Sequence, residues 1–182
     1  SDLSWRALPG AVDAMARLRA AEVPLRLVTN TTSRSRASVA EALRAAGFAV
    51  DAADILSAPA ATAAHLRSTH PGARCLLLSS GDVGDELEGV DVVRLGDVPR
   101  SEPVDVVVLG GAGPEFTYEA VSEVFARVLD GVPLVAMHRN LSWRTDAGLE
   151  LSSGAYLDAI ERAAGVQAVV LGEPDAAFFA TA

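Results

Sequence analysis

Apolar residues return along this chain with two different periods. Across Ala11 to Ala20, Val12, Met15, Ala16 and Leu18 form one face and Arg17 and Arg19 stand opposite, the spacing of an amphipathic helix. Val23-Pro24 breaks it, and Leu25 to Thr29 reads as a short apolar strand followed by the polar run Asn30-Thr31-Thr32-Ser33-Arg34-Ser35. A second helix is expected from about Arg36 to Ala46, stopped by Gly47, with Ser33 as a candidate N-cap. Asp54 to Ser57 is extended and Ala60 to Ser68 helical. Strands then dominate: Arg74 to Ser79, Asp91 to Leu95, Val104 to Leu109, Pro133 to Met137 and Val166 to Leu171. Between them lie helical patterns at Asp82 to Leu87, Tyr118 to Leu129 and Ala155 to Ala164, and another begins at Pro174. Val104 to Leu109 lacks alternation, so it is expected to be buried on both faces. Strands alternating with helices mean an α/β fold with parallel pairing.

Composition narrows the function. The 182 residues are half hydrophobic, with mean hydropathy +0.27, which suits a packed core and excludes general disorder. The apolar runs are strand length, far short of the ~18 residues that span a bilayer, so no membrane segment is expected. The net charge is −9 and every one of the fifteen basic residues is Arg. That balance argues against nucleic acid, which is bound through basic patches. The single cysteine, Cys75, lies in an apolar strand, which leaves no internal disulfide and no cysteine-based zinc cage. The opening residues are polar and Pro9-Gly10 ends any apolar stretch, so a signal peptide is not expected and the expected location is cytoplasmic. Both ends are abrupt. Phe178 and Phe179 need a core to bury them, and the natural protein is expected to continue past Ala182.

The simplest sites are missing. There is no phosphate-binding G-x-x-x-x-G-K-[ST] loop and no G-x-S-x-G nucleophile elbow. Gly111-Ala112-Gly113 follows a strand, but Phe116 stands where a dinucleotide fingerprint needs its third glycine. His65 and His70 read as surface residues, whereas His138 ends a strand, where functional groups gather in parallel sheets.

Three pieces remain: Asp2-Leu3-Ser4, Leu27-Val28-Thr29-Asn30 and Gly172-Glu173-Pro174. Each follows, or should follow, the C-terminal end of a strand, and such ends converge on one crevice. Singly they have ordinary readings: a solvated Asp, turn chemistry, and a strand-to-helix connection. In this order they resemble the haloacid dehalogenase superfamily of phosphotransferases, subfamily IIA. The resemblance extends over nearly the whole chain. Arg6 to Ala11 is similar to the entry to the first helix and Val28 to Ser35 to the second motif. Ile55 to Ala58 with Ala61-Thr62-Ala63 resembles the entry to the cap, and Val104 to Glu119 its central strand and helix. Gly148-Leu149 with Gly154-Ala155 resembles the return to the core, and Gly172 to Asp175 with Phe178-Phe179 the third motif. Arg139 to Arg144, with Trp143, lies nearest the branch that contains phospholysine phosphohistidine inorganic pyrophosphate phosphatase.

The resemblance implies a three-layer Rossmann-like core, incomplete at the C-terminus, with an inserted α/β cap. Residues 1–58 and 152–182 are expected to form the core and 59–151 the cap. It implies Asp2 as the nucleophile that forms an aspartyl phosphate, and Mg²⁺ held by Asp2 and the Ser4 carbonyl, with further ligands beyond Ala182. Thr29 would bond the phosphoryl oxygen, and Asn30 and Thr31 would help hold the anion at a helix start. His138, Arg139, Asn140, Trp143 and Arg144 would form the selecting loop of the cap, with a small phosphorylated metabolite as substrate and a homodimer through the cap. Three departures stand out. Ser4 replaces the usual acid–base Asp, Glu173 stands where the family carries Lys, and the fourth motif is absent. Only Trp5 to Leu8 separates Ser4 from Pro9-Gly10, where the family has about ten residues, so either a loop is missing or the match at Asp2 is coincidental. Two readings therefore stay open: a phosphatase, weak or impaired, and a non-catalytic protein of the same fold that binds a ligand or partner.

Overall fold

The computed structural model describes residues 6–145, 148–173, 175 and 178–179, with only the backbone of Asp85. Among the described residues fourteen named helices and strands run in the order α1 (Ala11–Ala20), β1 (Leu27–Thr29), α2 (Arg36–Ala45), β2 (Ile55–Ser57), α3 (Ala58–Thr69), β3 (Arg74–Leu78), β4 (Asp91–Arg94), β5 (Val106–Leu109), α4 (Tyr118–Leu129), β6 (Leu134–Ala136), β7 (Ser142–Thr145), β8 (Gly148–Leu151), α5 (Ser153–Ala164) and β9 (Val169–Val170). Short 3-10 turns occupy Ala52–Asp54 and Gly84–Leu87. The fold is α/β with parallel strands, as the pattern implied.

The main sheet has five parallel strands in the order β4-β3-β5-β6-β9. Its centre is apolar on both faces: Cys75 to Leu78 and the whole of β5 are buried. Side chains alternate across it. Leu76, Leu78, Val107 and Leu109 pack with Val124 and Val128 of α4 and Leu157 and Ile160 of α5. Cys75, Leu77, Val106 and Val108 pack with Ala63 and Leu66 of α3 on the other side. Burial pushes the Cys75 thiol up to about 11. Helices therefore cover both faces of the sheet, which is why β3 and β5 read as continuous apolar runs.

A second, two-stranded parallel sheet pairs Leu27 to Thr29 with Ile55 to Ser57. The helix starts follow from their caps. Thr117 accepts from the Ala120 amide at α4, and Ser57 from the Ala60 amide at α3. Gly165, with φ 70°, closes α5 in the left-handed region that suits glycine.

Three expectations change. At α2 the cap is Ser35, which accepts from the Ser38 amide, and not Ser33. The stretch after Leu141 is not a plain loop: Ser142 to Thr145 pairs antiparallel with Gly148 to Leu151 in a hairpin. The last strand, expected in the core with β1, pairs instead with β6, so residues 153–170 belong to the five-stranded sheet and its covering helix. Of the two terminal phenylalanines, Phe178 is buried and Phe179 exposed. Among the described residues no helix is long and apolar enough to cross a membrane.

Candidate active site

The strand order places a crevice before any side chain is considered. β3 and β5 are neighbours, but the chain leaves them toward opposite faces. After β3 it packs Val83 and Leu87 on the α3 side, and after β5 it enters α4 on the other. Loops diverging from adjacent parallel strands leave a gap beyond their C-terminal ends. Ser80 lines one side of that gap and Gly111 to Pro114 the other. The loop after β1, from Thr29 to Arg34, closes a third side, and His138, Asn140, Trp143, Arg144, Glu150 and Ser152 a fourth. The cleft is about 660 Å³. A smaller hollow of about 430 Å³ lies among Met15, Val28, Val39, Leu43, Phe48 and Ile55 and is apolar apart from Thr29 and Thr31 at its margin.

Glycines let the walls meet. A Cβ at Gly81, whose φ is 79°, would lie 2.7 Å from the Ser33 Cα. One at Gly111 would strike the Thr32 hydroxyl, and one at Gly172 the Met137 carbonyl and the Asn30 side chain. The loop after β1 is thus seated against the ends of β3, β5, β6 and β9.

The candidate residues gather here, though not all as expected. The Thr29 hydroxyl donates to Thr31 Oγ1 at 2.9 Å and accepts from the Thr31 amide at 3.1 Å. Asn30 is spent on protein partners. Its Oδ1 accepts from the Glu173 amide at 2.8 Å, while Nδ2 donates to the Glu173 carbonyl at 3.0 Å and to Asn140 Oδ1 at 3.4 Å. Both its N–H bonds are engaged, so Asn30 clamps the two motifs together and is not placed as an anion donor. Thr29 and Gly172 are thereby brought together, about 140 residues apart in the chain.

The start of α2 departs from expectation too. Its first amide, Arg36 N–H, donates to Glu86 Oε1 at 2.8 Å, and the Arg36 Nε and the Ser57 hydroxyl donate to Glu86 Oε2 at 2.8 Å each. A buried protein carboxylate already holds the helix N-terminus, where a bound anion was expected. This also commits Arg36 to Glu86, while the Glu173 backbone clamps Asn30.

Arg139 turns away from the cleft. It donates to Asp158 Oδ1 and to both carboxylate oxygens of Glu161, at 2.7 to 2.8 Å. The Glu161 and Asp158 carboxylates raise its pKa, and Arg139 in turn pulls Glu161 down. Glu161 also accepts from the Ala168 amide. Arg139 therefore ties the end of β6 to α5 rather than meeting a ligand. Its neighbour His138 is 4% exposed, and burial pushes its pKa down to about 4. Ser80 binds Glu115, holding that carboxyl below the usual range. Sequence reasoning missed Ser80, Glu150 and Ser152, and it set aside Gly111 to Gly113. Ser79-Ser80-Gly81 and Gly110-Gly111 each follow an apolar strand, the signal that could have found them. Asp2 and Ser4 lie outside the described residues. Among the described residues no group of three or more His, Cys, Asp or Glu could hold a metal ion, so they do not by themselves make up a magnesium site.

The sequence profile of the haloacid dehalogenase-like hydrolases matches residues 3–93, half of the chain. The chain belongs to this family. It is 35% identical over 173 residues to haloacid dehalogenase-like hydrolase domain-containing protein 2 of Rattus norvegicus, covering 95% of this chain and 62% of that protein. It is also 35% identical over 179 residues to the phospholysine phosphohistidine inorganic pyrophosphate phosphatase of Danio rerio, with 97% and 62% covered. This haloacid dehalogenase-like chain thus spans less than two thirds of those relatives. A p-nitrophenyl phosphatase from Archaeoglobus fulgidus shares the fold, with TM-score 0.84 and 22% identity over 98% of this chain and 67% of that one. A glycerol phosphate phosphatase from Mycobacterium tuberculosis, solved in complex with magnesium, gives TM-score 0.81 and 25% identity over 97% of this chain and 52% of that one.

Proposed function

We propose that this chain supplies the larger part of a phosphatase site that hydrolyses a small phosphorylated metabolite through an aspartyl phosphate, with weak turnover. One observation carries the reading: Thr29 and the wall of His138, Asn140, Trp143 and Arg144 line a single cleft at the gap between β3 and β5. In this reading a carboxylate oxygen of Asp2 attacks phosphorus, the bond to the leaving oxygen breaks, and that oxygen takes a proton. Water then attacks the phosphorus, releasing phosphate and restoring the carboxylate. Thr29, released from Thr31, donates to a phosphoryl oxygen. Magnesium, implied by the family, would be held at Asp2 and Ser4 and would offset phosphate charge. The β6–β9 pairing supports a cap returning to the core near Gly172 rather than at residue 151. A homodimer through the cap and a cytoplasmic location belong to the same proposal.

Weak turnover follows from Ser4 and Glu173. A serine hydroxyl does not ionise near neutral pH and is a poor acid–base group. A Glu in the lysine position repels nucleophile and phosphate, by up to about 4 kcal/mol for a like-charge pair at ~4 Å in an effective dielectric of ~20. The second reading, a non-catalytic binding protein, is favoured by the engagement of Asn30 and of the α2 N-terminus with protein groups. Turnover of p-nitrophenyl phosphate with Mg²⁺ by the product of the complete gene separates the two. Slow but Asp2-dependent release supports the phosphatase, and no release supports the binder. Glu173→Lys is expected to raise turnover at least about tenfold, about 1.4 kcal/mol in barrier.

A further inference from the structure

His138 is buried, yet it lines the cleft. Nδ1 accepts from the Asn140 amide at 3.3 Å, and the Ser153 hydroxyl lies 3.4 Å from the same nitrogen. A backbone N–H can only donate, so Nδ1 carries no proton, and the neutral ring must carry its proton on Nε2. Among the described residues nothing accepts that proton. The edge of the ring away from Asn140 therefore presents a fixed N–H donor. Two more donors line the cleft from the same segment, the Asn140 amide group and the Arg144 guanidinium. Glu150, the carboxylate on the facing strand, accepts from the Thr145 hydroxyl at 3.0 Å.

We propose that His138 is a specificity-determining residue whose Nε2–H receives a carboxylate carried by the leaving group of the substrate. The proposal rests on the phosphatase reading of the cleft and adds to it a class of substrate, the phosphate esters of hydroxy acids. A carboxylate suits this wall because it is acceptor-only and has two oxygens to share among several donors, whereas a hydroxyl must also find an acceptor. The ring contributes no charge, since burial keeps it neutral at pH 7. Its contribution is direction: a ring held by Asn140 and Ser153 donates along one line into the cleft. Arg139 supports that geometry by anchoring the backbone between His138 and Asn140 to α5.

The test uses two inert ligands of nearly equal size, phosphonoacetate and ethylphosphonate, which exchange a carboxylate for a methyl group. Binding is followed by NMR on the unmodified product of the complete gene with Mg²⁺ present, and the tautomer by the nitrogen-15 shifts of His138. The expected result is an Nε2–H tautomer at His138 and tighter binding of phosphonoacetate. In His138→Phe that preference falls by about tenfold or more, the size of a hydrogen bond to a charged group. His138→Gln, whose Nε2 reaches nearly the same place, recovers most of it. An Nδ1–H tautomer in the unmodified chain overturns the proposal without need of any variant. Both ligands binding equally, or an unchanged preference in His138→Phe, overturns the assignment to His138 while leaving the phosphate reading intact. Neither ligand binding overturns both.

Discussion

Asn30 does with a side chain what a strand does with its backbone, exchanging a donor and an acceptor with Glu173 across a gap of 143 residues. Asn30→Ala would leave the Glu173 amide without its acceptor. A loss of about 1–3 kcal/mol in urea unfolding is expected, with the loop after β1 freed from the end of β9. His138 makes a second prediction. Its pKa is pushed from the ordinary value of 6.5 down to about 4 by burial, so the unfolded chain binds the proton first. Its stabilising effect is complete above about pH 6.5 and is lost as pH falls toward 4, on the order of 3 kcal/mol in all. Unfolding measured from pH 7 to 4 should show this slope, and His138→Phe should flatten it relative to the unmodified chain. Residues at strand ends, such as Thr29, Asn30 and His138, were legible in the sequence because parallel sheets gather chemistry there. Arg139 was not: one position along an extended chain reverses the side chain, and only the fold shows that Asp158 and Glu161 wait on the other side.

The longer helices were legible to within two residues at each end, and Gly47 and Gly165 mark ends that the apolar period already implied, whereas the helix expected at Asp82 to Leu87 is a 3-10 turn. The strands were harder. β1, β2 and β6 each have only three residues, too few for a period to declare itself, and β9 has two. The β7–β8 hairpin was hidden because it lacks a buried face: Leu149 and Leu151 are exposed, and the run from Ser142 to Thr145 reads as a polar loop. The partner of β9 depends on contacts no local pattern encodes. At this scale the joint between α2, β2 and the 3-10 turn at Gly84–Leu87 rests on one carboxylate. Glu86→Ala removes the acceptor for the Arg36 amide, its guanidinium and the Ser57 hydroxyl together. Arg36 is partly exposed and can rehydrate, so a loss of about 2 kcal/mol is expected rather than the larger cost of stranding a buried charge. A lower melting temperature by calorimetry, with Glu86→Gln intermediate, would bear this out.

Among the described residues two parallel sheets and a β-hairpin are present, and the loop after β1 rests on the strand ends of the larger sheet in a seat made by Gly81, Gly111 and Gly172, a fit that no local sequence pattern encodes. Gly111→Val would drive a side chain into Thr32 and part the loop after β1 from the main sheet. Weaker binding of phosphonates is expected, with faster hydrogen exchange in residues 30–35 and little change in β3 to β6. That contrast can be timed from within the protein. Cys75 is the second residue of β3 and has no exposed surface, and burial pushes its thiol up to about 11. A disulfide reagent can reach it only when the five-stranded sheet comes apart, because the thiolate must be both formed and exposed to react. Labelling of this lone thiol thus keeps time for the main sheet alone: variants that loosen only the seat leave its rate unchanged, and those that loosen the sheet quicken it.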